Sequence, residues 1–432
     1  MSSVIFRVYQ GLGRLAAPLL VGLYKLRARQ GKEDQNRKGE RFGVASKERP
    51  SGNLIWIHAA SVGEANAVLP LAKQVVDGGS KVLLTTATLT SAQVVEASAP
   101  EGVIHQFVPY DTRGNIKRFL NHWSPCLAIT VESEIWPATF HELEKRQIPL
   151  IIVNGRMSEG SFSNWNRVPS FAHSVFGTVD CVLAQSDDDA ARFKQLGAIR
   201  VRPTGNIKFD GNVPECDPVE LADFKDQLEG RPRWLAASTH PEEEVEVAKA
   251  HQELKHKFDR LLTIIVPRHP VRAQEIREEL EQMGLVCTQR SRGEATTNAT
   301  DIYIADTLGE LGLFYRVAPI VFMGGSLRPI GGHNLLEPAQ VGCAILSGVH
   351  TQNFAWIYRH FSKEEGVLLV HNTSELADQI ENLLHNPAEV QTRADTAKAL
   401  VESGRGALAA TQLELQQYLP VKQPEQQGRS RR

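Results

Sequence analysis

Short apolar runs recur along the chain from Asn53 onward, and helix-length segments separate them. The runs are rich in β-branched residues and do not alternate strictly, which is typical of strands buried on both faces of a parallel sheet. In the first half, strands are predicted at residues 54–57, 82–85, 104–108, 127–131, 149–153 and 181–184. Because the spacers have the length of crossover helices, this half is predicted to form a doubly wound α/β domain.

The same rhythm restarts after an acidic stretch, residues 210–233, which contains three prolines and no long apolar run. Further strands are predicted at residues 234–237, 262–266, 285–288, 302–305, 320–323, 344–346 and 367–370, with closing helices at 373–384, 387–403 and 407–419. We therefore predict two Rossmann-like domains, residues 51–210 and 233–419, joined by a linker at 211–232. The Gln-, Arg- and Pro-rich residues 420–432 are predicted to be a disordered tail.

The first 50 residues differ from the rest of the chain. Residues 4–26 are mostly apolar, but Arg7, Arg14 and Lys25 interrupt them, and a spanning helix needs ~20 consecutive apolar residues. A basic stretch follows, to Arg41. An apolar helix followed by basic residues is typical of an anchor at an anionic membrane surface, so residues 1–50 are predicted to be one. Packing of this helix on the body of the same protein is the alternative.

Composition excludes some classes of protein. The net charge is −2, so no overall basic field favours nucleic acid as a partner. The five cysteines contain no Cys-x-x-Cys pair, the sequence contains no His-Glu-x-x-His, and the Asp-x-Asp pattern occurs only in the Asp187–Asp189 run that opens a predicted helix, so metal-independent chemistry is predicted. No Gly-x-Gly-x-x-Gly turn follows the first strand of either half, which disfavours a dinucleotide-dependent dehydrogenase.

Charged residues follow strand ends in the first half. Glu64 follows the first strand and a Ser-Val-Gly turn, where it could either complement a helix N-terminus or act as a general base. Glu132 and Glu134 follow the strand at 127–131, and one of them could stabilise positive charge developing on a sugar or cap the next helix. Lys208 lies where the first domain ends, either as a surface lysine or as a partner for a leaving phosphate.

The second half contains a glycine-rich stretch, residues 324–337, between a predicted strand and a predicted helix. Its Gly-Gly-Ser turn, with Gly325 and Ser326, is predicted to let the backbone approach a ligand closely. The helix after Asn334 could hold phosphate at its free N–H groups. Arg268 lies on a proline-flanked turn after another strand and suits an anion, whereas the acidic run at 242–244 is predicted to favour a helix N-terminus.

These blocks, in this order, resemble the 3-deoxy-D-manno-octulosonate (Kdo) transferases of Gram-negative lipopolysaccharide synthesis. The resemblance is carried by Gly-Glu-Arg-Phe-Gly at 39–43, Ser-Val-Gly-Glu at 61–64, Glu-Ser-Glu-Ile-Trp-Pro at 132–137 and Gly-Gly-His-Asn at 331–334. It spans nearly the whole chain outside the tail. Leu335, where the family usually has proline, and Ser133, where threonine is common, are departures.

The resemblance implies a GT-B glycosyltransferase fold, with two Rossmann-like domains facing each other across a cleft and an N-terminal anchor at the cytoplasmic face of the inner membrane. It implies transfer of Kdo from CMP-Kdo to the lipid A precursor, lipid IVA, with inversion and without a metal or cofactor. Glu64 matches the family's proton acceptor, and Glu132 and Lys208 match groups that stabilise the transition state. The CMP-binding segments match Arg268, His269, Gly309, Glu310, Leu311, Asn334, Leu335, Leu336 and Glu337.

Two other functions stay open on the residues alone. A GT-B nucleotide-sugar epimerase would be soluble and would need no lipid acceptor, and the predicted anchor argues against it. A membrane-tethered, non-catalytic nucleotide-binding scaffold would not need the carboxylates at the strand ends of the first domain.

Overall fold

The computed structural model describes Tyr9 and residues 17–420. The chain divides into two compact units. Unit 1 contains the chain up to Gly211 and the segment from Arg405, and unit 2 contains Asn212–Gly404. Each unit contains one seven-stranded, wholly parallel sheet with helices packed on it.

The sheet of unit 1 has the strand order β3-β2-β1-β4-β5-β6-β7. The strands are β1 Leu54–His58, β2 Lys81–Thr86, β3 Val103–Phe107, β4 Leu127–Val131, β5 Leu150–Gly155, β6 Cys181–Ala184 and β7 Val201–Pro203. Strands β1, β4, β5 and β6 are buried along their whole length, which explains their continuous apolar composition. The first six strands confirm the predicted runs. Strand β7 was missed because two of its three residues are exposed and polar or proline.

Helices cover both faces of this sheet and bury an apolar core on each side. They are α1 Ala17–Arg29, α2 Lys38–Arg41, α3 Val62–Asp77, α4 Leu89–Ser98, α5 Arg113–Trp123, α6 Pro137–Lys145, α7 Glu159–Asn166, α8 Pro169–Phe176 and α9 Asp187–Gln195, followed by a short 3-10 helix at Ile207–Asp210. A last helix of this unit, here α18, is Ala407–Leu415.

The sheet of unit 2 has the strand order β10-β11-β9-β8-β12-β13-β14. The strands are β8 Arg233–Thr239, β9 Leu262–Pro267, β10 Cys287–Gln289, β11 Ile302–Ile304, β12 Ile320–Met323, β13 Ala344–Gly348 and β14 Leu368–Val370. The helices are α10 Pro218–Gln227, α11 Glu243–Lys255, α12 Ala273–Gln282, α13 Leu311–Val317, α14 Leu336–Val341, α15 Ala355–Lys363, α16 Thr373–His385 and α17 Pro387–Gly404.

Both sheets reverse their strand order beside their first strand. In unit 1, β1 lies between β2 and β4, and in unit 2, β8 lies between β9 and β12. The chain therefore leaves the first strand towards one edge and later returns to fill the other. The carboxyl ends of strands at such a reversal are where open α/β sheets bind ligands.

Two predicted boundaries differ from the structure. Within the predicted linker, residues from Asn212 onward belong to unit 2 and include helix α10. Helix α18 belongs to unit 1 rather than to the second domain, because Asp210 accepts hydrogen bonds of 2.7 Å from the N–H groups of Gly406 and Leu408. The hydrophobic pattern predicted the helix but carries no information about which sheet it covers.

The N-terminal segment is described only in part. No helix among the described residues is long and apolar enough to cross a bilayer. Most of the apolar stretch before Ala17, and the predicted disordered tail from residue 421, lie outside the described residues. Within the basic stretch, Arg27 and Arg41 both pair with Glu33, at 2.7 and 2.9 Å, so these two cations hold the segment together internally.

Candidate active site

Three carboxylates gather at the strand-order reversal of unit 1. Glu64 is the third residue of α3, which follows β1, and Glu132 and Glu134 follow the neighbouring strand β4. The backbone turns sharply at Glu132, whose φ of 56° lies in the left-handed region that residues other than glycine rarely adopt. Strained backbone of this kind is concentrated at functional sites.

Ser61 caps the N-terminus of α3, and the Glu64 side chain binds back to the residues that precede this helix. Its Oε2 accepts a hydrogen bond of 2.8 Å from the Ala60 N–H, and its Oε1 accepts one of 2.9 Å from the Ser61 hydroxyl. The Glu64 N–H in turn donates to Ser61 Oγ at 3.3 Å. The carboxylate therefore lies at a helix N-terminus, the structural role that the sequence left open, and its two hydrogen bonds fix where it points.

The same environment raises the pKa of Glu64 to about 7. Burial is the largest cause, since a desolvated carboxylate is unfavourable, and the negative charge of Glu132 adds to it. The hydrogen bonds from Ala60 and Ser61 act in the opposite direction but do not cancel the effect. A carboxyl group that titrates near neutral pH suits a general base.

Lys208 joins this group through Glu132. Its Nζ lies 2.5 Å from Glu132 Oε1. The 3-10 helix that carries Lys208 is fixed by two asparagines: Asn206 Oδ1 accepts from the Lys208 N–H and Asn154 Oδ1 from the Ile207 N–H, both at 3.1 Å. The structure thus places Glu64, Glu132 and Lys208, predicted from three separate blocks, in one cluster.

Two further residues belong to this cluster: His58, which was not selected from the sequence, and Glu134, which the sequence left as the alternative to Glu132. His58 Nε2 lies 3.5 Å from Glu134 Oε2, and the indole N–H of Trp136 donates to the same oxygen at 2.9 Å. Burial alone would raise the pKa of Glu134, but the contact with His58 lowers it overall. Glu134 therefore stays a carboxylate while Glu64 titrates. His58 directly follows the strand predicted at 54–57 and lies at the reversal, a position that could have identified it.

In unit 2, side chains gather at the corresponding reversal. Arg268 and His269 follow β9, and both side chains are exposed. The Arg268 N–H donates to Thr239 O at 2.9 Å, which ties this turn to the end of β8. His240, after β8, and His333, in the loop after β12, join them, and the sequence analysis selected neither. Their Nε2 atoms lie 2.9 Å apart.

The prediction that the backbone of the Gly-Gly-Ser turn approaches a ligand was wrong. The N–H groups of Gly325 and Ser326 donate to the buried carboxylate of Glu243, at 2.6 and 2.9 Å, so they are not free to bind a ligand. A side chain at Gly324 would meet Ser238 O at 2.6 Å, and one at Gly325 would meet the His333 ring at 2.9 Å. Close packing, rather than ligand approach, explains these glycines. Glu243 was predicted only to favour its helix N-terminus.

The remaining predicted donor-binding residues offer mainly backbone groups. Gly309 is exposed with a φ of 87°, whereas the carboxylate of Glu310 is held by Arg290 at 2.6 Å. Leu335 and Leu336 are buried, and Leu311 is partly buried. Helix α14 begins at Leu336, and its first N–H donates to Asn334 Oδ1 at 3.2 Å, so the side chain of Asn334 occupies part of the predicted phosphate site.

The environment of Glu337 disfavours the charged form of its carboxyl group. Burial raises the pKa of its carboxyl group, and the hydrogen bond with Asn334 and the charge of Arg268 oppose this. Glu337 and Arg268 are therefore close enough to interact. Within residues 17–420 and Tyr9, no group of three or more His, Cys, Asp or Glu side chains could hold a metal ion.

Comparison with known proteins identifies the family. A family model described as 3-deoxy-D-manno-octulosonic-acid transferase (kdotransferase) matches residues 36–211, which form most of unit 1. A glycosyltransferase from Rickettsia africae shares the fold, with a TM-score of 0.57 at 13% identity, over 85% of this chain and 98% of that chain. This likeness supports the predicted GT-B class of fold.

Two relatives match nearly the whole chain. A probable mitochondrial 3-deoxy-D-manno-octulosonic acid transferase from Arabidopsis thaliana is 34% identical, covering 92% of this chain and 92% of that protein. A 3-deoxy-D-manno-octulosonic acid transferase from Haemophilus influenzae is also 34% identical, covering 93% and 95%. The identity and extent of these matches show that the chain belongs to the 3-deoxy-D-manno-octulosonic acid transferase family.

Proposed function

We propose that this chain transfers Kdo from CMP-Kdo to the lipid A precursor lipid IVA, with inversion at the anomeric carbon. The observation that carries the proposal is the buried Glu64 carboxyl group, with a pKa near 7, beside the Glu132–Lys208 pair in a member of this family. The predicted cleft between the two domains stays a prediction.

In this mechanism Glu64 removes the proton from an acceptor sugar hydroxyl as the oxygen attacks the anomeric carbon of Kdo. The carboxylate is already aimed by Ala60 and Ser61, so little reorganisation is needed when the proton arrives. Kdo is a keto sugar, so positive charge develops at its reacting carbon, and Glu132 is proposed to stabilise that charge. Lys208 is proposed to balance negative charge on the departing phosphate.

Donor binding is assigned to unit 2. Arg268 and His269 are exposed beside the strand-order reversal and suit the phosphate of CMP. The backbone at Gly309 and Leu311 and the partly buried Glu337 are proposed to hold the nucleoside. Because charged side chains and backbone dipoles supply the stabilisation, the proposal requires no metal ion.

A membrane surface is the proposed location of the acceptor, at the cytoplasmic face of the inner membrane. Leu19, Leu23 and Leu26 follow the i, i+4, i+7 spacing of one helix face on α1 and are 74%, 45% and 54% exposed. Lys25 and Arg29, on the same helix, are also exposed. An exposed apolar stripe flanked by cations suits a helix that lies in an anionic interface.

A reconstituted assay tests the function directly. Purified full-length protein in detergent, given CMP-Kdo and lipid IVA, should release CMP only when the acceptor is present, and should do so equally in EDTA. Mass spectrometry should find the acceptor heavier by whole Kdo units, and NMR should show the inverted anomeric configuration. Turnover of the sugar nucleotide without acceptor would favour an epimerase, and nucleotide binding without turnover would favour a scaffold. Either result would reject the proposal.

A further inference from the structure

Three histidines of unit 2 meet where β8, β9 and the loop after β12 end. The imidazole rings of His240 and His333 are nearly parallel, at 10°, with centroids 5.2 Å apart. The ring of His269 stands edge-on to His240 at 5.7 Å. Three chain segments far apart in sequence thus bring their histidines to the strand-order reversal, the place where ligands bind to such sheets.

The Nε2–Nε2 contact of 2.9 Å is a hydrogen bond between two histidines, so one Nε2 must carry a proton and the other must accept it. The pair is then neutral. A further proton can go to Nδ1 of the donating ring without breaking this bond, and it would convert the contact into a stronger charge-assisted hydrogen bond. Neither Nδ1 has a hydrogen-bond partner among the described residues.

The surroundings keep the pair neutral in the absence of a ligand. Burial, followed by the neighbouring His240, Arg268 and His269, lowers the pKa of His333 to about 4. Burial also lowers the pKa of His240, where Arg268, Arg272 and His269 act in the same direction and Glu243 opposes them.

Glu243, the acid that faces the pair, is already saturated. Its carboxylate accepts hydrogen bonds from the N–H groups of His240, Gly325, Ser326 and Leu327, at 2.6–3.1 Å. The cluster therefore contains two exposed side chains, Arg268 and His269, beside the neutral His240–His333 pair. This pair gains a proton only when an anion binds next to it.

We propose that His240 and His333 form, with Arg268 and His269, an anion subsite for the sugar-nucleotide donor that takes up one proton from solvent when the anion binds. The shared chemistry is an anionic oxygen group, which can be the phosphate of CMP or the carboxylate of the sugar acid. This inference rests on the proposed function for its donor. It makes His240 and His333 binding residues for the donor, whereas Glu64 acts on the acceptor.

Proton counting by calorimetry tests the proposal on the full-length protein without acceptor. CMP and CMP-Kdo are titrated separately at about pH 7.5, where a phosphate monoester is already ionised. Each titration is repeated in buffers of different ionisation enthalpy. The native protein should take up roughly 0.5–1 proton per ligand bound, and by linkage the dissociation constant should rise roughly 3- to 10-fold per pH unit above neutrality.

The paired variant His240→Gln with His333→Gln keeps hydrogen-bonding groups but cannot take up the proton, so its count should fall near zero and its affinity should lose the pH dependence. His371→Gln removes an exposed histidine of the same unit, which contacts Glu375 outside the cluster, and should leave the count unchanged. Uptake with CMP alone assigns the subsite to the phosphate, and uptake only with CMP-Kdo assigns it to the carboxylate.

No proton uptake by the native protein with either ligand would overturn the inference even if the paired variant fails to fold. An unchanged count in a folded paired variant would overturn it too. Because the titration needs no turnover, it separates the two proposals. Normal Kdo transfer with no proton uptake rejects only this inference, and proton uptake without acceptor-dependent transfer rejects only the proposed reaction.

Discussion

Glu64 combines a structural role and a proposed chemical role in one side chain. The carboxylate that Ala60 and Ser61 orient is also buried, and burial beside Glu132 raises its pKa towards neutrality. Since the amide oxygen of a glutamine can accept from the Ala60 N–H and its amide N–H can donate to Ser61 Oγ, Glu64→Gln separates the two roles. It keeps the helix cap and removes the titrating group.

The raised pKa predicts that Glu64 destabilises the fold at neutral pH. The folded state holds this proton up to about pH 7, whereas the unfolded state releases it near 4.5, so stability falls as pH rises through that window. Glu64→Gln should therefore be more stable than the native protein above pH 7, by up to about 3 kcal/mol, with the difference vanishing in acid. Urea unfolding at the two pH extremes measures this.

Glu64→Ala is the matched control for that experiment. It also removes the charge but loses the hydrogen bonds with Ala60 and Ser61, so it should be less stable than Glu64→Gln by about 1 kcal/mol at either pH. If Glu64→Gln were less stable than the native protein at alkaline pH, burial of this carboxyl group could not be the source of its raised pKa.

The negative charge of Glu132 predicts a shift in the pH dependence of catalysis. Glu132→Gln removes the largest charge repulsion on Glu64, so the pKa of Glu64 should fall and the acidic limb of the rate profile should move to lower pH. Glu134→Gln should move it in the same direction but less, because its contribution is smaller. Initial rates of CMP release across the pH range check both, and an unmoved limb in Glu132→Gln would contradict the assignment.

At the scale of elements, the apolar runs predicted both sheets, because a strand buried on both faces leaves a nearly continuous signature. Strand β7 was not predicted, because an edge strand has a weak hydrophobic pattern. Helix α18 was predicted but assigned to the wrong unit, because a helix pattern does not indicate which sheet the helix packs on. The Gly-Gly-Ser turn was predicted as a ligand contact because glycine allows close approach in general. The approaching groups are Ser238, His333 and Glu243, from distant parts of the sequence.

Because α18 is bonded to the segment that carries Lys208, we expect a substitution at this contact to affect catalysis. Asp210 ends the 3-10 helix that carries Lys208 and holds the N-terminus of α18 through Gly406 and Leu408. Asp210→Ala should leave those N–H groups without this acceptor, cost about 1–3 kcal/mol of stability, and lower kcat by loosening Lys208. Kinetics and thermal unfolding measure this. Asp187→Ala, on α9, is an exposed control. If Asp210→Ala lost stability but kept the native kcat, the contact with α18 would not influence the active site.

At the scale of the whole molecule, the exposed leucines of α1 predict binding to anionic vesicles. Replacing Leu19, Leu23 and Leu26 with serine should weaken flotation with phosphatidylglycerol vesicles about 10- to 100-fold, since each apolar side chain contributes on the order of 1 kcal/mol. Leu413→Ser changes a leucine that is 68% exposed on α18 and should have no effect. Unchanged binding in the triple variant would reject α1 as the contact surface.

The central claim is that Glu64 takes the proton from the acceptor hydroxyl. The most direct test is the rate of acceptor-dependent CMP release from CMP-Kdo and lipid IVA, measured from about pH 5 to about pH 9 for the native protein and Glu64→Gln. The native rate should rise with pH through one ionisation near 7. The rate of the variant should be lower by roughly 100-fold or more and should not show this ionisation, while the variant binds CMP normally. A variant with a near-native rate and the same acidic limb would contradict the account.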